Sequence, residues 1–326
     1  MFKQLTADLS LDLDNKWSYM KTHGDEDWSS YPSYLNEVIP HFLRVLEEHD
    51  LKITVFIVGQ DAAIKSNQDA LRLIPQAGHE IANHSFKHEP WLQRYTREQI
   101  VDELARTEDV LREISDQKLI GFRGPGYSLS DDVLEVLCER GYQFDASTLP
   151  TYLGPMARTY YFFKSSFSAE ETEDRANLFG SFADGFRPLK PYKWTTAKGE
   201  IIEMPVSTIP VFRAPFHFSY LFFLAKYSEL LATMYFRFAV LMCKLTRTSP
   251  SLLMHPLDFL GGDEVEELRF FPGMSLDGEF KRRFCSKILG IYKRNFNVLP
   301  MGKRAAEIKQ RESQLSVKSY PKPVIT

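Results

Sequence analysis

Seven short runs rich in β-branched and other apolar residues recur along this 326-residue chain, and stretches with helical spacing lie between them. The runs are LTADLSLD (5–12), KITVFIVG (52–59), HEIANHS (79–85), LIGFRGP (119–125), YQFDAS (142–147), IIEMPVST (201–208) and SLLMH (251–255). Among the intervening helical patterns are YLNEVIPHFLRVLEEH, REQIVDELARTEDVLREI and SDDVLEVLCERG, the last opened by Ser130 as an N-cap and closed by Gly141. Strand and helix alternating in this way predict an α/β fold, a distorted (β/α) barrel of about seven parallel strands, rather than a sandwich. Such barrels reach this size as one domain, which is placed at residues 1–302. Residues 148–200, rich in Tyr, Phe, Pro and charge, break the rhythm and read as an insertion between the fifth and sixth strands. Residues 303–326 read as a polar, flexible tail.

Composition narrows the partners. A formal net charge of -3, with 44% hydrophobic and 25% charged residues, gives no basic excess for nucleic acid. The start, MFKQLTADLS, has neither the apolar core nor the cleavage site of a secretory signal, so a cytoplasmic location is expected. Cys138, Cys243 and Cys285 are odd in number and widely spaced in apolar surroundings, which fits reduced core thiols.

Unusual polar residues cluster at one topological level. Asp12, Asp14, His84, Arg123, Asp145 and His255 all fall at or just after the C-terminal ends of expected strands, where a (β/α) barrel builds its active site. In HSFKH the histidines His84 and His88 are four apart, so a helical turn would face both imidazoles the same way, as metal ligands require. Two histidines and a carboxylate make a metal site with open positions. Each residue alone has a plainer reading: a strand-end Asp usually caps or turns, an HxxxH pair can be coincidence, and a lone His is often a hydrogen-bonded core residue. His23, His41, His49, His79 and His217 are left at that reading, with His23 placed near the expected mouth. The joint occurrence in one order favours a site.

These residues, in order over about 300 positions, resemble the NodB-homology polysaccharide deacetylases, which remove N-acetyl groups from amino sugars. SLDLD resembles a variant of the family's first motif, which implies that Asp12 is the catalytic base and Asp14 a metal ligand. HSFKH matches the second motif, with His84 and His88 as the other ligands. RGPGY resembles the third, in which Arg123 braces the base and the backbone near Gly126 or Tyr127 helps form the oxyanion hole. LLMHP resembles the last, with His255 as general acid. The fourth motif is poorly matched: FDAST has Asp145 but no tryptophan, so either Asp145 or Asp258 could tune His255.

The resemblance implies hydrolysis of an N-acetyl amide in a polysaccharide, glycolipid or sugar precursor, by water activated on one divalent cation. Mixed N/O ligation suits zinc, and cobalt, nickel or iron(II) fit the same triad. An amidohydrolase of small cyclic or linear amides, of the allantoinase or imidase kind, is the alternative, and a glycan-binding barrel without catalysis is a third reading. One segment suggests a further partner. Residues 214–225, APFHFSYLFFLA, carry no charge, and their 12 residues fall short of the roughly 20 that a membrane span needs. The aromatics of 214–243 suit either buried barrel helices or peripheral contact with the inner membrane face, where a lipid-linked sugar would be met.

Overall fold

The computed structural model describes residues 4–153 and 185–320. Among these, one sheet contains β1 (Thr6–Leu13), β2 (Thr54–Ile57), β3 (Glu80–Asn83), β4 (Gly121–Phe122), β5 (Phe144–Asp145), β6 (Tyr192–Thr196), β7 (Gly199–Glu203), β8 (Ser251–Met254), β9 (Asn297–Leu299) and β10 (Val317–Ser319). The seven expected strands are β1 to β5, β7 and β8, and they run parallel in the order β7-β5-β4-β3-β2-β1-β8. The sheet is not closed by a ladder. β6 pairs antiparallel along the whole of β7 and occupies the edge that closure would need. The gap narrows only beyond β7, where Ser207 N–H donates to Ser251 C=O at 3.0 Å and Ser251 N–H to Ser207 Oγ at 2.6 Å.

Alternation along β1 divides two environments, because successive side chains leave opposite faces of a strand. Ala7, Leu9, Leu11 and Leu13 join the large core that also takes Val38, Ile39 and Phe42 of helix Leu35–Glu48 and Phe284, Ile288 and Leu289 of helix Gly278–Asn295. Asp8, Ser10 and Asp12 occupy the other face. Inside the sheet's curve, Phe56, Ala82, Phe144, Ala146, Ile202 and Met204 pack with Met301 and Ala305, so helix Met301–Lys309 plugs the N-terminal end of the barrel. Its Met301 N–H is received by Thr54 Oγ1 at 2.7 Å, and its Arg304 pairs with the fully buried Asp8.

Two expectations are therefore corrected. The segment from Lys303 is not a flexible tail: residues 303–309 belong to the plug, β10 pairs parallel with β6, and Tyr320 donates to Leu129 C=O at 2.6 Å. The inward side of helix Met301–Lys309 sets the cation Arg304 among Met301, Gly302, Ala305 and Ile308, which interrupts its apolar stripe. Residues 321–326 lie outside the described residues. Of the expected insertion at 148–200, residues 154–184 also lie outside them, but 192–196 form β6, a member of the sheet.

Arg304→Met should lower unfolding stability by about 3–5 kcal/mol, read from urea denaturation, because Asp8 would keep a buried charge with no counterion. An unchanged midpoint would contradict the plug. A second expectation concerns acid. His79 is buried, its Nδ1 accepts from Ile53 N–H at 3.2 Å, and burial, aided by Lys52, pushes its pKa down from 6.5 to about 4. The folded state thus binds fewer protons than the unfolded chain between those values, so stability falls as pH drops through that window, by about 3 kcal/mol in all. In His79→Gln that part of the slope should vanish from a pH series of denaturation curves.

Candidate active site

Strand register brings the polar residues to one level. Leu11 lies opposite Met254, so the next residues, Asp12 and His255, are neighbours across a parallel pair about 4.8 Å apart. Leu13 lies opposite Ile57, Ile57 opposite Asn83, and Asn83 opposite Phe122. One step further along the same strands stand Asp14, Val58, His84 and Arg123. Distant segments thus converge at the C-terminal mouth because the strands end in step.

Asp14, His84 and His88 meet there. Asp14 Oδ1 is 3.4 Å from His84 Nε2 and 3.0 Å from His88 Nε2, and one ligand atom from each residue lies within 4.8 Å of the others. On a tetrahedron with zinc-like bond lengths, ligand atoms stand about 3.4 Å apart. Asp14 Oδ1 is itself buried and, among the described residues, has no hydrogen-bond partner apart from these two imidazoles, and His84 Nδ1 lies 2.7 Å from Arg123 C=O, an arrangement that leaves Nε2 as the nitrogen able to ligate. Burial opposes charge on Asp14, but the imidazoles of His88 and His84 outweigh it and hold the carboxyl far below the usual range. Burial likewise opposes a charged His84, yet Asp12, then Asp14 and the Arg123 carbonyl, raise it. These residues fit a divalent cation, and among the described residues they form the single such cluster.

The expected helical turn at HSFKH is absent. Residues 84–88 are an irregular loop in which Ser85 and His88 both adopt positive φ, 60° and 52°. Glu103 Oε2 receives the Phe86 and Lys87 N–H groups at 2.8 Å each, and Ser85 Oγ receives His88 N–H at 3.1 Å. Those bonds stabilise the bend that brings the imidazole ring centroids to 5.0 Å.

Asp12 is held differently. Arg123, fully buried, donates from Nη1 to Asp12 Oδ1 at 2.5 Å and to Ser10 Oγ at 3.0 Å, and from Nε to Ala146 C=O at 3.0 Å. Its guanidinium carbon lies 4.2 Å from the centre of the Phe56 ring, which fixes the cation inside the barrel. Beyond Arg123, Gly126 and Tyr127 form a tight turn, both at positive φ. Tyr127 N–H is engaged there with Gly124 C=O at 3.0 Å, which makes Gly126 the candidate of the two for an oxyanion donor.

Asp258 and Asp145 separate cleanly. Asp258 receives His255 N–H at 2.7 Å, and burial, against the pull of His255, pushes its carboxyl up to about 6. Asp145 instead binds Ser147, through Oγ at 2.6 Å and N–H at 3.1 Å, and lies opposite Glu203 in the sheet. Ser147 Oγ in turn receives Gly124 N–H at 2.8 Å, so Asp145 positions the Gly124–Tyr127 turn rather than His255. The sequence reading does not single out Ser147 and leaves His217 as a hydrogen-bonded core residue. His217 is buried, its ring lies 6.2 Å from that of His255 and 4.8 Å from Tyr220, and among the described residues its Nδ1 has no hydrogen-bond partner. A single imidazole inside an uncharged run was the available signal.

Three comparisons show what the chain is similar to. Residues 25–144 match the polysaccharide deacetylase family model, a span that includes His84, His88 and Arg123 but neither Asp12, Asp14 nor His255. The chain is 25% identical over 153 residues to a peptidoglycan deacetylase of Helicobacter pylori, covering 46% of this chain and 51% of that protein. It is 34% identical over 111 residues to the peptidoglycan-N-acetylmuramic acid deacetylase PdaA of Bacillus subtilis, covering 34% and 41%. It therefore spans about half, or less, of the length of these relatives. A crystal structure from Mycobacterium smegmatis, assigned to the polysaccharide deacetylases, superposes over 99% of this chain and 96% of its own with a TM-score of 0.64 at 18% identity, which establishes the fold. Over residues 25–144 the chain is thus similar to the polysaccharide deacetylases, and its fold is the one their solved relative shows.

Proposed function

We propose that this chain is a metal-dependent hydrolase that removes N-acetyl groups from an amino sugar in a polysaccharide, glycolipid or sugar precursor. The observation that carries the reading is the different setting of two carboxylates one residue apart: Asp14 is shared by two imidazoles, and Asp12 is paired with a buried guanidinium. Asp14, His84 and His88 would hold the cation. Zinc suits this donor set, and cobalt, nickel and iron(II) are compatible with it. When bound, the cation supplies Lewis acidity and makes water a competent nucleophile at neutral pH.

The chain's own groups supply the rest. Asp12, oriented by Arg123, accepts the proton of the attacking water. The backbone N–H of Gly126 donates to the developing oxyanion, a contribution of about 3–4 kcal/mol where such donors have been removed. His255, on the strand adjoining Asp12, gives a proton to the departing amine. As the acetyl carbon gains the water oxygen, its bond to nitrogen breaks, and acetate and a free amine leave. Purified, metal-loaded protein should release acetate from N-acetylglucosamine oligomers and leave hydantoin and allantoin intact. Turnover of the cyclic amides instead would favour the small-amide reading, and no turnover of either would favour glycan binding alone.

A further inference from the structure

Helix Glu229–Leu245 has two apolar faces. Ala232, Phe236, Ala239, Val240 and Cys243 enter the core. Leu231, Met234, Phe238, Leu241 and Leu245 point outward, between 41% and 69% exposed, at alternating spacings of three and four that place them on one side. The half-exposed Phe212 packs on Phe238 from the preceding loop, with ring centroids 5.7 Å apart. Part of the sequence expectation for 214–243 is corrected here: Phe216, Phe218, Phe222 and Phe236 are core residues, and the exposed face is carried by others.

The charges around this face have one sign. Lys226, Arg237, Lys244 and Arg247 are exposed, while the one acid of the helix, Glu229, is bound to Arg283 at 3.0 Å and Lys287 at 2.8 Å. Pairing of this face with a second copy would set Arg237 and Lys244 among the same basic groups. An apolar face flanked by cations matches anionic headgroups above acyl chains. Among the described residues, no helix is long and apolar enough to cross a membrane, so the match is to a surface.

We propose that helix Glu229–Leu245, with Phe212 and Phe223, docks the chain on an anionic bilayer, its axis in the interface. The 17 residues of the helix would lay a stripe about 25 Å long among the headgroups. The same segment borders the site. His217, beside His255, caps helix Phe218–Ala225, on which Phe223 is exposed about one turn beyond Tyr220. Docking would therefore hold the mouth near headgroup level, where a lipid-linked sugar is presented. The docking itself does not depend on the hydrolase reading.

Co-sedimentation of the full chain with vesicles decides the matter without any activity assay. The protein should pellet with phosphatidylglycerol–phosphatidylcholine vesicles at low salt and remain in solution with phosphatidylcholine alone. Arg237→Glu with Lys244→Glu should weaken binding about a hundredfold or more, since four units of charge change near the surface. Phe238→Ser with Leu241→Ser should weaken it at least about tenfold, with the melting temperature confirming that the variant folds. If that variant fails to fold, the exposed charge-reversal pair decides alone, and unchanged pelleting by it overturns the proposal. Wild-type protein that stays in solution with anionic vesicles overturns it as well. So does a micromolar dimer that Leu241→Glu converts to monomer, which would assign the face to a second copy.

Discussion

His88→Ala should reduce bound metal from about one ion per chain to nearly none after dialysis, and abolish hydrolysis with it. Its Nε2 stands 3.0 Å from Asp14 Oδ1, and the proposed site has only three protein ligands among the described residues, so the loss of one leaves none to spare. His84→Ala should have the same consequence, but it also removes the contact between His84 Nδ1 and the Arg123 carbonyl, so the effect at His88 is easier to interpret. Linkage gives a second readout. A cation that binds only the folded state raises the melting temperature, so a chelator should lower that of the wild type and leave that of His88→Ala unchanged. Full metal content in a variant carrying both His84→Ala and His88→Ala would remove the two histidines as ligands.

Asp12→Asn should lower kcat by about 10²–10⁴-fold with little change in KM, because the substitution removes a proton acceptor and no binding contact. Asn retains an oxygen for Arg123 Nη1, but the guanidinium, fully buried, loses its counterion. A stability loss of about 3–5 kcal/mol is expected from that, so kinetics belong well below the variant's melting temperature. A loss confined to KM would identify Asp12 as a binding residue instead.

The sequence was most informative where a single periodicity controls the outcome. Seven parallel strands could be read because each is an apolar run framed by helical spacing, and the site level followed from where those runs end. β6, β9 and β10 escaped notice because YKWTT, NVL and VKS stand outside the longer apolar runs that marked even the two-residue strands β4 and β5. Helix Met301–Lys309 escaped for a different reason. It fills a barrel end whose lining includes Asp8, so one of its inward residues must be a cation, and a cation in a polar stretch reads as solvent-facing. At the site, residue types were legible and backbone form was not. The HSFKH spacing suggested a helical turn, whereas Glu103, seventeen residues away from Phe86 in sequence, fixes an irregular bend that still converges the imidazoles. Local backbone geometry also separated Asp258, which receives the His255 backbone N–H three residues away, from Asp145, which binds Ser147 two residues away, and residue types alone do not distinguish the two.

The division of labour between adjacent acidic residues on β1 and its extension is the centre of this account. Elemental analysis of dialysed Asp12→Asn and Asp14→Asn, side by side with wild type, tests it most directly. Asp12→Asn should retain about one ion per chain while turning over slowly, and Asp14→Asn should lose both ion and activity. Equal metal content in the two variants, whether both full or both empty, would contradict the assignment of one carboxylate to the cation and the other to the proton.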